Sequence, residues 1–169
     1  MAWYDITGTI ADWMMAAAAV YAAFNVKDWI KDKHNSAGYD HVAKLMADYD
    51  IVVLEMNRFY FYMLKLERTD PDFHATKKNI EDHVYTVLPL EDRLKACRRF
   101  NIKSKVELEQ HFKDLVRFYN LCLKIYDALK IDDIEMFKEA RSNLDQQYLK
   151  VDEFKKNLGT DITKLFFFS

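Results

Sequence analysis

The sequence predicts an all-α protein, with one N-terminal transmembrane helix followed by a cytosolic antiparallel helical bundle or coiled-coil domain. Three observations carry this expectation. From Ile6 to Val26 the chain has no lysine, arginine, glutamate or proline, and only one acid, Asp12. Further along, apolar residues recur at spacings of three and four in three long seams. Three glycines and two prolines in 169 residues are too few for a turn-rich β fold or a disordered tail. Length leaves room for the anchor, residues 1–33, and one helical domain, residues 34–169, rather than two independent cores.

A helix over 6–26 is about 31 Å long at roughly 1.5 Å per residue, close to the ~30 Å hydrocarbon core of a bilayer. Together Ile6, Ile10, Val20, Phe24 and Val26 favour insertion by roughly 2–3 kcal/mol, whereas a central aspartate costs about 2.5–3.5 kcal/mol. A single copy is therefore marginal as a span. Trp3 and Tyr4 before the run and Trp29 after it suit interfacial anchors. Lys27, Lys31 and Lys33 follow the run and no basic residue precedes it. The positive-inside rule then places the N-terminus outside and the rest in the cytoplasm, at a bacterial inner membrane. Without a basic n-region, the run does not read as a cleaved signal peptide. The competing reading is an alanine-rich helix buried in a soluble bundle or lying in the membrane plane.

At helical spacing the run has two faces. Ile6, Ile10, Trp13, Met14, Val20, Tyr21 and Phe24 gather on one side. Thr9, Asp12, Ala16, Ala19 and Ala23 form a stripe on the other, with Gly8, Met15, Ala18 and Ala22 alongside. Small residues at this spacing let membrane helices approach closely, so the stripe is the expected pore-lining or oligomer face. Asp12 would then either join a ring of carboxylates on the oligomer axis or sit hydrated near the outer interface.

His34-Asn35-Ser36-Ala37-Gly38 reads as a short hinge. Val42, Leu45, Tyr49, Val52, Met56, Phe59, Met63 and Leu66 then form the first seam, widened by Met46, Val53, Leu54, Tyr60 and Phe61. Asp70-Pro71 marks a new helix start. The next stretch, to about Val87, is weakly periodic. Pro89 is expected to break it, leaving a short basic helix over Leu90 to Phe100. Ser104 and Glu107 have the spacing of a capping box. Leu108, Phe112, Leu115, Tyr119, Cys122, Tyr126 and Leu129 make the second seam. Asp132 or Asp133 opens the last helix, with Ile134, Phe137, Leu144, Tyr148, Val151, Phe154 and Leu158 inward and Gly159 as its stop. Leu165 to Phe168 leave an apolar end that can tuck into the bundle, dip into the membrane or meet a partner, with packing the default. The aromatics of the seams read as core rather than as a base-stacking platform.

Chemical signatures are sparse. A net charge of −2 gives no global attraction to nucleic acid. Cys97 and Cys122 lack metal-ligand spacing and suit free thiols in a reducing compartment. No glycine-rich phosphate loop, HExxH motif or nucleophile elbow is present, so no catalytic residue, metal or cofactor is expected. The five histidines (His34, His41, His74, His83 and His111) read as surface or satisfied core residues. Glu107, Glu109 and His111 alternate, so a helix spreads them around its circumference.

The strongest local feature is basic: Arg93, Lys95, Arg98, Arg99, Lys103 and Lys105, with no acid between Asp92 and Glu107. Guanidinium forks suit phosphate oxygens, so a nucleotide, an oligonucleotide or lipid headgroups could dock there. The bland alternative is a solvated face compensated by acids nearby in space.

In its layout, one N-terminal membrane helix and a cytosolic helical domain, the chain resembles small bacterial membrane-anchored proteins, among them transmembrane effectors of anti-phage defence systems of the Hailong type. The resemblance implies a homo-oligomer that permeabilises or depolarises the inner membrane when a cytosolic signal changes. Two functions follow as expectations. One is a non-enzymatic, gated channel-type effector sensing an anionic ligand such as a nucleotide or oligonucleotide. The other is a membrane-tethered scaffold that binds a partner protein without forming a pore.

Overall fold

The computed structural model describes residues 3–158 and 161–168, with side chains described from residue 13 onward except those of 23, 27, 28, 30–32 and 157. The architecture is helical apart from one short ribbon. Helix α1 runs from Trp3 to Lys65, α2 from Phe73 to Ala96, α3 from Leu108 to Ile131 and α4 from Ile134 to Leu158. A 3-10 turn over Cys97–Phe100 leads into strand β1, Ile102–Ser104. A single turn α5, Ile162–Leu165, leads into β2, Phe166–Phe168.

Ring contacts fix how the helices run. Tyr49 meets His111 and Phe59 meets Tyr119, so the C-terminal half of α1 lies parallel to α3. Phe73 stacks on Tyr126 and His83 on Tyr119, so α2 runs antiparallel to α3. His111 stacks on Phe154 and Tyr60 on Tyr148, so α4 opposes both α1 and α3. This is a four-helix bundle with short-range antiparallel connections. All eight residues of the first seam are buried. The second seam supplies Leu108, Phe112, Leu115, Tyr119, Cys122 and Tyr126, with Leu129 partly buried. The weakly periodic stretch is α2, held by Phe73, Ile80, Val87 and Leu90.

Several expected boundaries are corrected. There is no hinge at 34–38: α1 passes through it unbroken for 63 residues, about 95 Å at ~1.5 Å per residue. A lone glycine costs a helix only about 1 kcal/mol relative to alanine, too little to break it without a proline. Gly38 has another role. A Cβ there would come within 2.7 Å of Ile102 Cδ1 and 3.0 Å of Phe100 Cβ, so the missing side chain is the notch into which the 3-10 turn and β1 dock. Gly38→Ala sets about 1 kcal/mol of helix propensity against roughly 1–3 kcal/mol of overpacking and should be neutral to mildly destabilising. Gly38→Leu has more atoms to place and should lower stability by at least about 2 kcal/mol, read from the urea midpoint. A Leu variant as stable as the parent would show that the notch is not needed.

Pro89 lies inside α2 and does not end it. The carbonyl it leaves without a donor belongs to exposed Tyr85, where water can serve, while buried Val87 and Leu90 grip the core on either side. The expected basic helix over 90–100 is thus the last turns of α2 plus the 3-10 turn, which ends at Asn101 in the left-handed region (φ 58°). Asp70 does not cap α2: its carboxylate accepts from Glu67 N at 2.8 Å, and the helix begins three residues later at Phe73.

The Ser104–Glu107 box does not form. Ser104 is in β1, where its hydroxyl accepts from Val106 N and donates to Val106 O, and Glu107 makes no side-chain cap bond. Asp133 does cap α4, accepting from Met136 N at 2.9 Å. Gly159 lies outside the described residues.

Of the C-terminal phenylalanines, only Phe166 packs into the core. β2 pairs antiparallel with β1, Ile102 opposite Phe168 and Ser104 opposite Phe166. Phe166 is buried, whereas Phe167 and Phe168 stay exposed. Leu54 and Phe61, expected to widen the first seam, are also exposed.

Candidate functional site

Two features of the molecule are not explained by packing. The first is the N-terminal half of α1. The bundle begins at Gly38, and every described side chain from Trp13 to Ala37 is exposed. Trp13 is 76 % exposed, Tyr21 70 % and Phe24 62 %, with Met14, Met15, Val20, Val26 and Trp29 beside them. Ala16 and Ala19 of the expected stripe are exposed as well. The side chains of Gly8, Thr9, Asp12 and Ala23 lie outside the description. Burial of this helix in the chain's own bundle is therefore ruled out for its described part. Among the described residues, no helix is long and apolar enough to cross a membrane. The helix projects as an apolar rod, and Lys33 Nζ lies 5.1 Å over the Trp29 ring near its base.

The second feature is a cleft of about 880 Å³ where the end of α2, β1 and the start of α3 converge. It forms because the chain reverses through the 3-10 turn, bringing Lys95 and Arg98 opposite Glu109, Gln110 and Lys113. Leu94, Ile102 and Val106 supply apolar walls, and Lys103, Ser104 and Glu107 complete the rim. Lys95 Nζ pairs with Glu91 at 2.6 Å and Lys113 Nζ with Glu109 at 2.9 Å. Those contacts raise both lysines and, through Lys113 first, hold the Glu109 carboxyl below the usual range. Arg98 and Lys103 form no ion pair among the described residues. The cleft thus sets four cations, two of them without an ion pair, and the Gln110 amide against two carboxylates around an apolar floor, a net positive arrangement suited to an anion with an apolar body.

Of the six basic residues singled out in the sequence, three meet here: Lys95, Arg98 and Lys103. Arg93 turns to α1, where it ion-pairs with Asp48, and its carbonyl accepts from His41 Nε2 at 2.9 Å. It fastens α2 to α1 and does not reach the cleft. Arg99 is exposed on the 3-10 turn, outside the lining. Lys105 Nζ donates to Thr163 O at 2.8 Å and lies 4.5 Å over the Phe167 ring, securing the C-terminal strap. Compensation by a paired acid therefore holds for Arg93 and Lys95, whereas Arg98 acts on the Glu109 carboxylate only through its field and Lys103 has no ion pair among the described residues. Lys113 and Gln110 carry no such signal in the sequence: Glu109, four residues before Lys113, points only to a surface pair.

No protein-family profile, curated protein or solved structure matches the chain.

His111 is a satisfied core histidine. Its Nε2 is 2.9 Å from the Tyr49 hydroxyl, its ring stacks on Phe154 at 4.1 Å, and burial pushes it down to about 4. Burial also lowers His83, which stacks on Tyr119 and meets Phe59 edge-on. Both cysteines are buried thiols pushed upward by burial, which makes them poor nucleophiles. Among the described residues no group of three or more His, Cys, Asp or Glu could hold a metal ion.

Proposed function

We propose that this chain is a non-enzymatic membrane effector of bacterial inner-membrane type, whose projecting helix enters the bilayer as an oligomer while the bundle forms a cytosolic, ligand-sensing head. The observation that carries the reading is the apolar rod itself. A contiguous apolar surface of this extent on a folded protein needs lipid or another protein to cover it. From Trp13 to Val26 the exposed stretch is only about 20 Å long at ~1.5 Å per residue, so it needs the preceding residues to reach ~30 Å. Asp12 among those residues makes a single helix marginal, and packed copies with the small-residue stripe inward relieve that cost. An oligomer with Asp12 on its axis would favour cations.

The head also has a mechanical route to the rod. Ile102, which lines the cleft, sits against Gly38 at the root of the projecting helix. The Arg93–Asp48 pair ties the same end of α2 to α1. An anionic ligand such as a nucleotide or oligonucleotide, held by Arg98 and Lys103, would bear on β1 and hence on α1, which is continuous from head to rod. The layout resemblance to anti-phage effectors supports the same reading. The alternative, a tethered scaffold, draws on Ile51, Leu54 and Phe61, exposed along the outer face of α1 in the bundle.

The test is mass in detergent combined with ion leak from reconstituted vesicles. The expected mass is a multiple of 20.1 kDa, with cation leak altered by Asp12→Ala. A monomer that never permeabilises vesicles, with or without nucleotides, would sink the pore reading and leave the scaffold.

A further inference from the structure

The two ends of the bundle differ in charge. At the end where α1 leaves it, the connection over residues 97–107 carries Arg98, Arg99, Lys103 and Lys105 against Glu107 alone. The strap over 161–168 adds Asp161 and Lys164, which cancel. The connections at the opposite end, 66–72 and 131–135, carry Glu67, Asp70, Asp72, Asp132, Asp133 and Glu135 against Arg68 alone. The basic end also wraps the helix at its root. Phe100 lies 5.5 Å from the His34 ring and 5.4 Å from His41, and Phe168 lies 5.8 Å from Tyr39. Exposed there are Tyr39, Phe167 and Phe168, aromatics of the kind that settle at a headgroup layer.

Distance along α1 favours contact. If Trp29 sits at headgroup level, Gly38 lies about 13 Å above it at ~1.5 Å per residue. The basic connection lies to the side of α1, so a helix tilt of about 20° toward that side lowers it, and the long arginine and lysine side chains reach on to within the ~8 Å screening length of an anionic leaflet. We propose that this end of the bundle, through Arg98, Arg99, Lys103 and Lys105 with Phe167 and Phe168, docks on the anionic lipid headgroups of the leaflet from which α1 emerges. The proposal rests on the insertion of α1 proposed above and adds to it a seated orientation of the head. Seating would also set the mouth of the cleft beside the membrane surface, since Arg98 and Lys103 belong to both.

The full-length protein is reconstituted with vesicles of phosphatidylcholine alone and with vesicles containing one-third phosphatidylglycerol, and both flotation and amide exchange are measured. Flotation should occur with both. Exchange at 97–105 should slow about tenfold or more with the anionic vesicles only, since each Lys or Arg near such a surface strengthens docking by roughly fivefold. High salt and Arg98→Glu/Arg99→Glu should each remove that protection without lowering the thermal midpoint, because both arginines are exposed. Flotation with identical exchange on the two vesicle types overturns the docking and leaves insertion standing. Failure to float on either overturns insertion and the docking with it.

Discussion

Met15→Lys together with Ala19→Lys should abolish association with vesicles while leaving the bundle as stable as before. Each cation placed near the centre of a membrane helix costs about 2.5–3.5 kcal/mol, so the pair lowers insertion by roughly four to five orders of magnitude. Both positions are exposed on the projecting half of α1, well before the first bundle residue at Gly38. The core from Val42 onward is untouched, so the thermal midpoint of the head should stay within error of the parent. The pairing of outcomes matters. Equal flotation of parent and double variant would mean that lipid does not cover the rod. Loss of a larger species in detergent-free buffer, with no change in flotation, would mean that other copies cover it in water. The size of the expected effect makes the result readable even if oligomerisation offsets part of the cost.

How much of this was legible depended on whether the deciding neighbour was local. The seam from Val42 to Leu66 could be read because a helix repeats its inward positions every three or four residues whatever it packs against. The same rule overreached at Leu54 and Phe61, since apolar identity does not say whether a second neighbour exists on that flank. The backbone preferences of Gly38 and Pro89 point to breaks, and tertiary structure overrides both. Gly38 answers to Ile102 and Phe100, more than sixty residues away, and Pro89 faces water that can replace the lost bond. The β ribbon joins 102–104 to 166–168, and local propensity favours extended aromatic residues without naming a partner strand.

The candidate cleft shows the same division. The density of cations from Arg93 to Lys105 points to the stretch that gives the cleft three of its cations, Lys95, Arg98 and Lys103. Which of them face one space was set by the reversal at the 3-10 turn and by Asp48, forty-five positions before Arg93. Lys113 had no signal at all, because its pairing with Glu109 is what any solvated helix would show. The rod is the reverse case. Its apolar composition was plain in the sequence, but a buried alanine-rich helix would have the same composition, and only the exposure from Trp13 to Val26 separates the two.

The second large effect concerns the core. Stability should fall as pH drops from about 6.5 toward 4, and His111 should account for much of the loss. Unfolded, His111 takes up a proton near its ordinary value of 6.5; folded, burial holds that uptake down to about 4, with nearby Asp114 opposing the shift slightly and Lys150 adding to it. Between those values the unfolded state binds more protons, so stability rises with pH there and is complete above the window. The gap corresponds to about 3 kcal/mol at roughly 1.4 kcal/mol per unit, as an order of magnitude. His83, lowered by the same cause, acts with the same sign.

His111→Phe alone should flatten the slope but cost about 1–3 kcal/mol at neutral pH, because it strands the buried Tyr49 hydroxyl 2.9 Å from a group that no longer exists. Adding Tyr49→Phe removes the stranded hydroxyl, and the pair of phenylalanines keeps the ring packing against Phe112 and Phe154. The double variant should therefore recover most of the neutral-pH stability and keep the flatter profile, measured as urea midpoints from pH 7 to 4. A double variant that weakens as steeply as the parent would move the acid sensitivity to His83 or to the paired carboxylates. Recovery with a flat profile would show that the buried pair, placed sixty-two residues apart in the chain, is what ties the head's integrity to pH.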